Sequence, residues 1–138
     1  MSPHAIRGAP QYMMAAHAVP LRPPCAVVAS AETTVRLGRA MGTGGRNHKF
    51  CIAAARVIAG LENVAIASVG TDGKDGTSDA AGAIIDGHTY MRMERCGLNP
   101  SRILAQHNSG YAFKMLRDSV RLGPTGTNVM DLIVAVVV

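Results

Sequence analysis

Long apolar runs are what this chain has least of. Leu132–Val138 spans seven residues, far short of the ~20 that a membrane-spanning helix needs, so a spanning helix and a membrane partner are excluded. Cysteine is equally sparse. Cys25, Cys51 and Cys96 are odd in number and form no C-x-x-C pair. That excludes a disulfide framework or zinc site and points to core thiols in a reducing compartment, so the expected location is cytoplasmic. Two phenylalanines, three tyrosines and no tryptophan leave little to stack on bases. The basic residues are dispersed, so the net charge of +5 reads as a mildly basic solvated surface and not as a nucleic-acid site. The familiar phosphate and calcium motifs are missing too. Gly73-Lys74 is followed by Asp75 where a P-loop needs Ser or Thr, and Gly42-Thr-Gly-Gly-Arg-Asn47 puts Asn at the third glycine of a dinucleotide fingerprint. An EF-hand counted from Asp72 meets Ala83 where the twelfth residue must be Glu.

What is present alternates between two kinds of segment. Residues 1–23 read as a disordered leader or linker, broken by Pro3, Pro10, Pro20 and Pro23 and free of acids. Residues 24–138 read as one domain. Strands are expected at Cys25–Ala29, Thr33–Leu37, Val64–Val69, Ala81–Ile85 and Leu132–Val138. Helices are expected over Asn47–Ala59, Thr89–Cys96, Asn99–Gln106 and Tyr111–Leu116. Asn99 before Pro100 has the chemistry of a helix start, and Gly60 and Gly97 that of helix ends. Interleaved strands and helices predict an α/β domain, a three-layer sandwich around a largely parallel or mixed sheet. Leu132–Val138, apolar throughout, is expected to be an interior strand covered on both faces.

Two glycine-rich loops adjoin the buried strands. Gly70-Thr-Asp-Gly-Lys-Asp-Gly-Thr-Ser-Asp79 follows one, and Gly123-Pro-Thr-Gly-Thr-Asn128 precedes another. A third glycine turn, Gly44-Gly-Arg-Asn47, sets a guanidinium where a helix begins. Arg46 there can pair with a phosphate or carboxylate through two parallel hydrogen bonds while the helix N-terminus adds attraction for anions. The bland alternative is a surface arginine capping a carbonyl or pairing with Asp72. Asp72, Asp75 and Asp79 can orient a hydroxyl or hold Mg2+ through water; turn chemistry and helix capping are the favoured explanation for them. The residues alone therefore argue for an anion-binding site in an α/β domain.

Taken together, the strings resemble the MOFRL domain, the C-terminal half of class II glycerate kinases, some of which bear the name hydroxypyruvate reductase. The resemblance runs through Glu32-Thr-Thr-Val35, Gly44-Gly-Arg-Asn47, Gly70-Thr-Asp-Gly73, Asp75-Gly76, Asp79-Ala-Ala-Gly-Ala83, Asp86-Gly87, Asn108, Tyr111 and Gly123-Pro-Thr-Gly-Thr-Asn-Val129 with Asp131. It covers about residues 24–138. It implies a part in phosphoryl transfer from ATP to the 2-hydroxyl of D-glycerate, with Mg2+ as cofactor, in a cleft shared with an N-terminal Rossmann-like domain. It makes Arg46 the catalytic candidate. Glu32, Asn47, Thr71, Asp72, Asp75, Gly123, Thr125, Gly126, Thr127 and Asn128 become the candidate substrate- or phosphate-binding residues, and no residue is assigned to a metal.

The chain departs from that pattern at polar positions. Ser30-Ala31 stand where the family usually has Gly-Gly, His48-Lys49 where it tends to have Gln-Glu, and Asn108-Ser-Gly-Tyr111 where it has Asn-Asp-Ser-Tyr. Changes confined to polar positions favour a kept fold over a kept activity. Two expectations follow. One is a glycerate-kinase domain, a fragment or a free-standing frame, that is inactive alone and binds no certain cofactor. The other is a non-catalytic interaction module that pairs with a separate N-terminal half or with itself.

Overall fold

The computed structural model describes residues 22–31 and 42–138. The expected strand at 33–37 and the candidate Glu32 lie outside the described residues, as does most of the expected leader. Among these residues nine elements follow in order: β1 (Cys25–Ala31), α1 (Arg46–Val57), β2 (Val64–Gly70), β3 (Gly82–Asp86), α2 (Thr89–Arg95), α3 (Pro100–Ala105), α4 (Ser109–Leu116), β4 (Ser119–Val120) and β5 (Asp131–Val137). The strands form one sheet in the order β1-β5-β2-β3-β4. The α/β class expected from the sequence is what the chain adopts.

Among the described residues every strand pairing is antiparallel, where a largely parallel or mixed sheet was expected. Connection length explains this. Parallel neighbours need a crossover of about a dozen residues or more, usually helical. Residues 71–81 join β2 to β3 without a helix, so β3 turns back beside β2. β5 then enters between β1 and β2, pairing Val134 with Val28 on one side and Ala67 on the other.

Side-chain alternation splits the sheet into two faces. One cross-strand row, Ala135, Ile66 and Ile85, points with Ala29, Ile133 and Ala83 into the core. There these side chains meet Phe50, Ile52, Ala54 and Ala55 of α1, Met93 of α2, Ile103 of α3 and Phe113 and Leu116 of α4. The adjacent row, Val28, Val134, Ala67 and Ile84, points the other way, and no described helix covers it. The described elements make two layers, the sheet and the helices packed on one of its faces. β5 is interior in strand order, as expected, but the described residues cover only one of its faces: Ile133 is buried while Val136 is 39% exposed. The unbroken apolar run looked two-faced because both faces are apolar, whereas the described helices all pack on one.

Local sequence accounts for the helices. Asn99 accepts from the Arg102 amide at 3.0 Å, with Pro100 in the first turn, so α3 starts as its sequence predicts. Arg117 ends α4 in the left-handed conformation. β4, two residues long, was not expected; it pairs Ser119 and Val120 with Ala83 and Gly82.

Candidate functional site

The site is built around the N-terminus of α1. Gly45 occupies the cap position and has no side chain to accept the first amides. Asp75, from the β2–β3 loop, does so in its place: Oδ1 accepts from Asn47 N–H at 3.1 Å and Oδ2 from His48 N–H at 2.9 Å. Glycine is needed at position 45 because Asp75 Oδ1 lies 2.4 Å from where a Cβ would stand, with Gly76 N at 2.6 Å. The same carboxylate accepts from Asn47 Nδ2 at 3.1 Å and from His48 Nδ1, and Ser68 donates to Asn47 Oδ1 at 2.6 Å. Burial works to raise the proton affinity of Asp75, but the hydrogen bonds from His48 and Asn47 outweigh it and hold the carboxyl below its ordinary range. Ser68, Asn47, His48 and Asp75 are all buried.

Arg46 is the first residue of α1. Its Nε donates to Asp131 Oδ2 and its Nη2 to Oδ1 at 3.0 Å, the two-pronged geometry that favours Arg over Lys. Asp131 is buried, and the Arg46 side chain is 35% exposed. The alternative pairing of Arg46 with Asp72 does not occur. Asp72 is exposed and accepts from the Lys74 amide at 3.1 Å, a turn role. Asp79 is likewise taken at the surface, by Arg121 at 2.7 Å.

The two glycine-rich loops are laced together. Thr71 Oγ1 donates to the Met130 carbonyl at 2.6 Å and accepts from Val129 N–H at 2.8 Å, and Thr125 Oγ1 donates to the Thr71 carbonyl at 2.5 Å. Asn128 Oδ1 accepts from Met130 N–H at 3.1 Å, and Thr127 N–H donates to Thr125 Oγ1 at 3.4 Å. Gly73, at φ +90°, packs so closely on the second loop that a Cβ would stand 1.9 Å from the Gly123 carbonyl. Residues 121–130 are exposed throughout. The candidates therefore divide by position. Gly123, Thr125, Gly126, Thr127 and Asn128 sit on this exposed turn with Thr71 beneath it, and Arg46 joins them through Asp131 at the turn's end. Asn47 and Asp75 lie inside, beneath the helix start.

Four contacts were missed by sequence reasoning. Asp131 was quoted only as a matching residue, yet a lone carboxylate opening an otherwise apolar strand signals a buried partner. Asn108 Oδ1 accepts from Thr43 N–H at 3.1 Å, and Thr77 Oγ1 accepts from Gly44 N–H at 3.2 Å, so the glycine turn before α1 is braced from two loops. Lys49 Nζ contacts His107 Nδ1, a pairing with no signal in the sequence.

Residues 25–131 match the model of the MOFRL family. The chain is similar to a glycerate 2-kinase of Pyrococcus horikoshii, 41% identical over 118 residues, and to a D-glycerate 2-kinase of Thermotoga maritima, 41% identical over 119. Each match takes in 86% of this chain but only 27% and 28% of those relatives, so the chain spans little more than a quarter of their length. An Agrobacterium vitis protein bearing the name hydroxypyruvate reductase is 38% identical over 115 residues, which are 83% of this chain and 26% of that protein. Among solved structures, the crystal structure of the Thermotoga maritima glycerate kinase superposes with a TM-score of 0.82 at 40% identity, covering 88% of this chain and 29% of that one. The chain belongs to the MOFRL family.

Proposed function

We propose that this chain supplies the anion-binding half of a glycerate 2-kinase site, the partner half coming from polypeptide outside the region compared. The observation that carries the reading is the two-pronged Arg46–Asp131 pair at the root of the laced 70–79 and 121–130 loops. It fixes a partly exposed guanidinium beside an exposed glycine turn, in relatives of glycerate 2-kinases. Phosphoryl transfer is mostly positioning and charge neutralisation. In this reading Arg46 neutralises charge on the transferred group. The amides and hydroxyls of Gly123, Thr125, Gly126, Thr127, Asn128 and Thr71 hold phosphate or carboxylate oxygens, with Asp72 at the rim; Glu32 is a further candidate ligand. Asn47 and Asp75 act from beneath, by holding the start of α1.

ATP and D-glycerate are the substrates this reading implies for the intact enzyme, and cytoplasm is its implied location. Among the described residues no helix is long and apolar enough to cross a membrane. Magnesium fits less well: no three His, Cys, Asp or Glu residues gather to hold a metal ion among the described residues. No step through magnesium is assigned to this chain.

Calorimetric titration with ATP, D-glycerate and 2-phosphoglycerate tests the reading. Binding of at least one ligand is expected, without turnover by this chain alone. Arg46→Lys should weaken that binding about tenfold or more, since lysine cannot keep the two-pronged hold on Asp131 that fixes the charge in place. Absence of binding by all three ligands would sink the half-site, and turnover would overturn the inactive reading.

A second reading, an interaction module, has its own observation. Val28 is 65% exposed and Ile84 48% on the sheet face that no described element covers, and apolar patches of this kind mark association sites. A separate N-terminal half or a second copy would cover it.

A further inference from the structure

Lys49 follows Arg46 by one turn of α1 and is only half exposed. Its ammonium group reaches His107, at the joint between α3 and α4, and contacts the ring Nδ1. His107 is a fixed partner. Its backbone stands at φ +51°, its amide donates to the Leu104 carbonyl at 3.2 Å, and its own carbonyl packs within 2.3 Å of where a Gly42 Cβ would be. The ring nitrogen stands within reach of the amine's protons.

Burial lowers the proton affinity of Lys49, the charge of Asp75 opposing it, so the neutral amine is more populated than on a surface lysine. A neutral amine with an adjacent base is the arrangement of an activated nitrogen nucleophile.

We propose that Lys49 is an acylation site for acyl phosphates. Nζ attacks the carbonyl carbon and forms the N–C bond of an amide. The bond from that carbon to the phosphate oxygen breaks, inorganic phosphate leaves, and the amine proton passes to His107 Nδ1. No oxidant or reductant is needed. The product removes one positive charge from the start of α1. This inference goes beyond the phosphotransfer reading and does not depend on it.

The chain contains three lysines, Lys49, Lys74 and Lys114, and the last two are exposed, so it carries its own controls. The intact chain would be incubated with acetyl phosphate and the acetyl mass at each lysine followed with time by peptide mass spectrometry. Lys49 is expected to acylate several-fold faster than Lys74 and Lys114. His107→Asn, chosen because asparagine tolerates the left-handed backbone there, should bring Lys49 down to the rate of the other two while leaving theirs unchanged. Equal rates at all three lysines in the unaltered chain would overturn the proposal, as would an unchanged Lys49 rate in His107→Asn.

Discussion

Asp75 shows how much one side chain can do when it is buried among donors. It closes the N-terminus of α1, fixes the His48 ring and anchors Asn47, with 2% of its surface exposed. Asp75→Ala would strand several of these donors at once. Removing one partner of a buried charged network costs about 3–5 kcal/mol, and chemical denaturation should read a loss of that size. The carboxyl also makes stability depend on acid. Its folded proton affinity lies below the unfolded one, so its contribution is fully present well above the unfolded pKa of about 3.9. That contribution is lost as pH falls below that value and through the folded one. Thermal melts should therefore fall more steeply below about pH 4 in the unaltered chain than in Asp75→Asn, which has no carboxyl there to titrate. A melting curve whose acid limb is the same in both would show that Asp75 does not couple to folding.

At the scale of elements, the short glycine turn before α1 and the strand β5 make opposite demands. Gly45 is required by close approach: Asp75 Oδ1 and the Gly76 backbone fill the space a methyl group would take. Gly45→Ala is expected to destabilise by about 1–3 kcal/mol in denaturant titrations, as overpacking usually does. An unchanged midpoint would mean that the loop and helix can separate freely. In β5 the decisive property is which face a residue takes. Ile133 is 5% exposed and faces α1, while Val136, three residues on, faces outward. Ile133→Asp buries an unpaired carboxylate and should cost several kcal/mol, whereas Val136→Asp should cost about 1 kcal/mol or less. Equal losses in the two variants would place a cover on both faces.

For the whole molecule, the asymmetry of the sheet matters most. Helices shield one face, and the other shows a row of valine, alanine and isoleucine that the described residues leave open. If that face associates, light scattering should show a mass above that of a monomer, rising with concentration. Replacing Val28 and Ile84 together with lysine should return the chain to a monomer. A concentration-independent monomer in the unaltered chain would count against association through this face. Much of the architecture was legible beforehand. Ala-rich 46–57, Asn99-Pro100 and the β-branched runs at 64–70 and 131–137 each declared their type, because propensity and capping act within a few residues. Strand direction was not legible, because apolar runs report burial without saying which neighbour provides it.

The site divides in the same way. By itself the sequence determined that glycine turns, an arginine at a helix start and an amide-rich turn before an apolar strand would occur, since these depend on local backbone chemistry. It also carried the family resemblance in the order of its strings. Only the tertiary structure decided the partners. Asp131, 85 positions away from Arg46, takes the guanidinium, and Asp75, 28 positions from Asn47, caps the helix. The physical reason is that a carboxylate's role follows from the donors folding brings within about 3 Å, and sequence separation does not encode that distance. Asp72, Asp75 and Asp79 stood alike in one loop; packing buried one and left two at the surface.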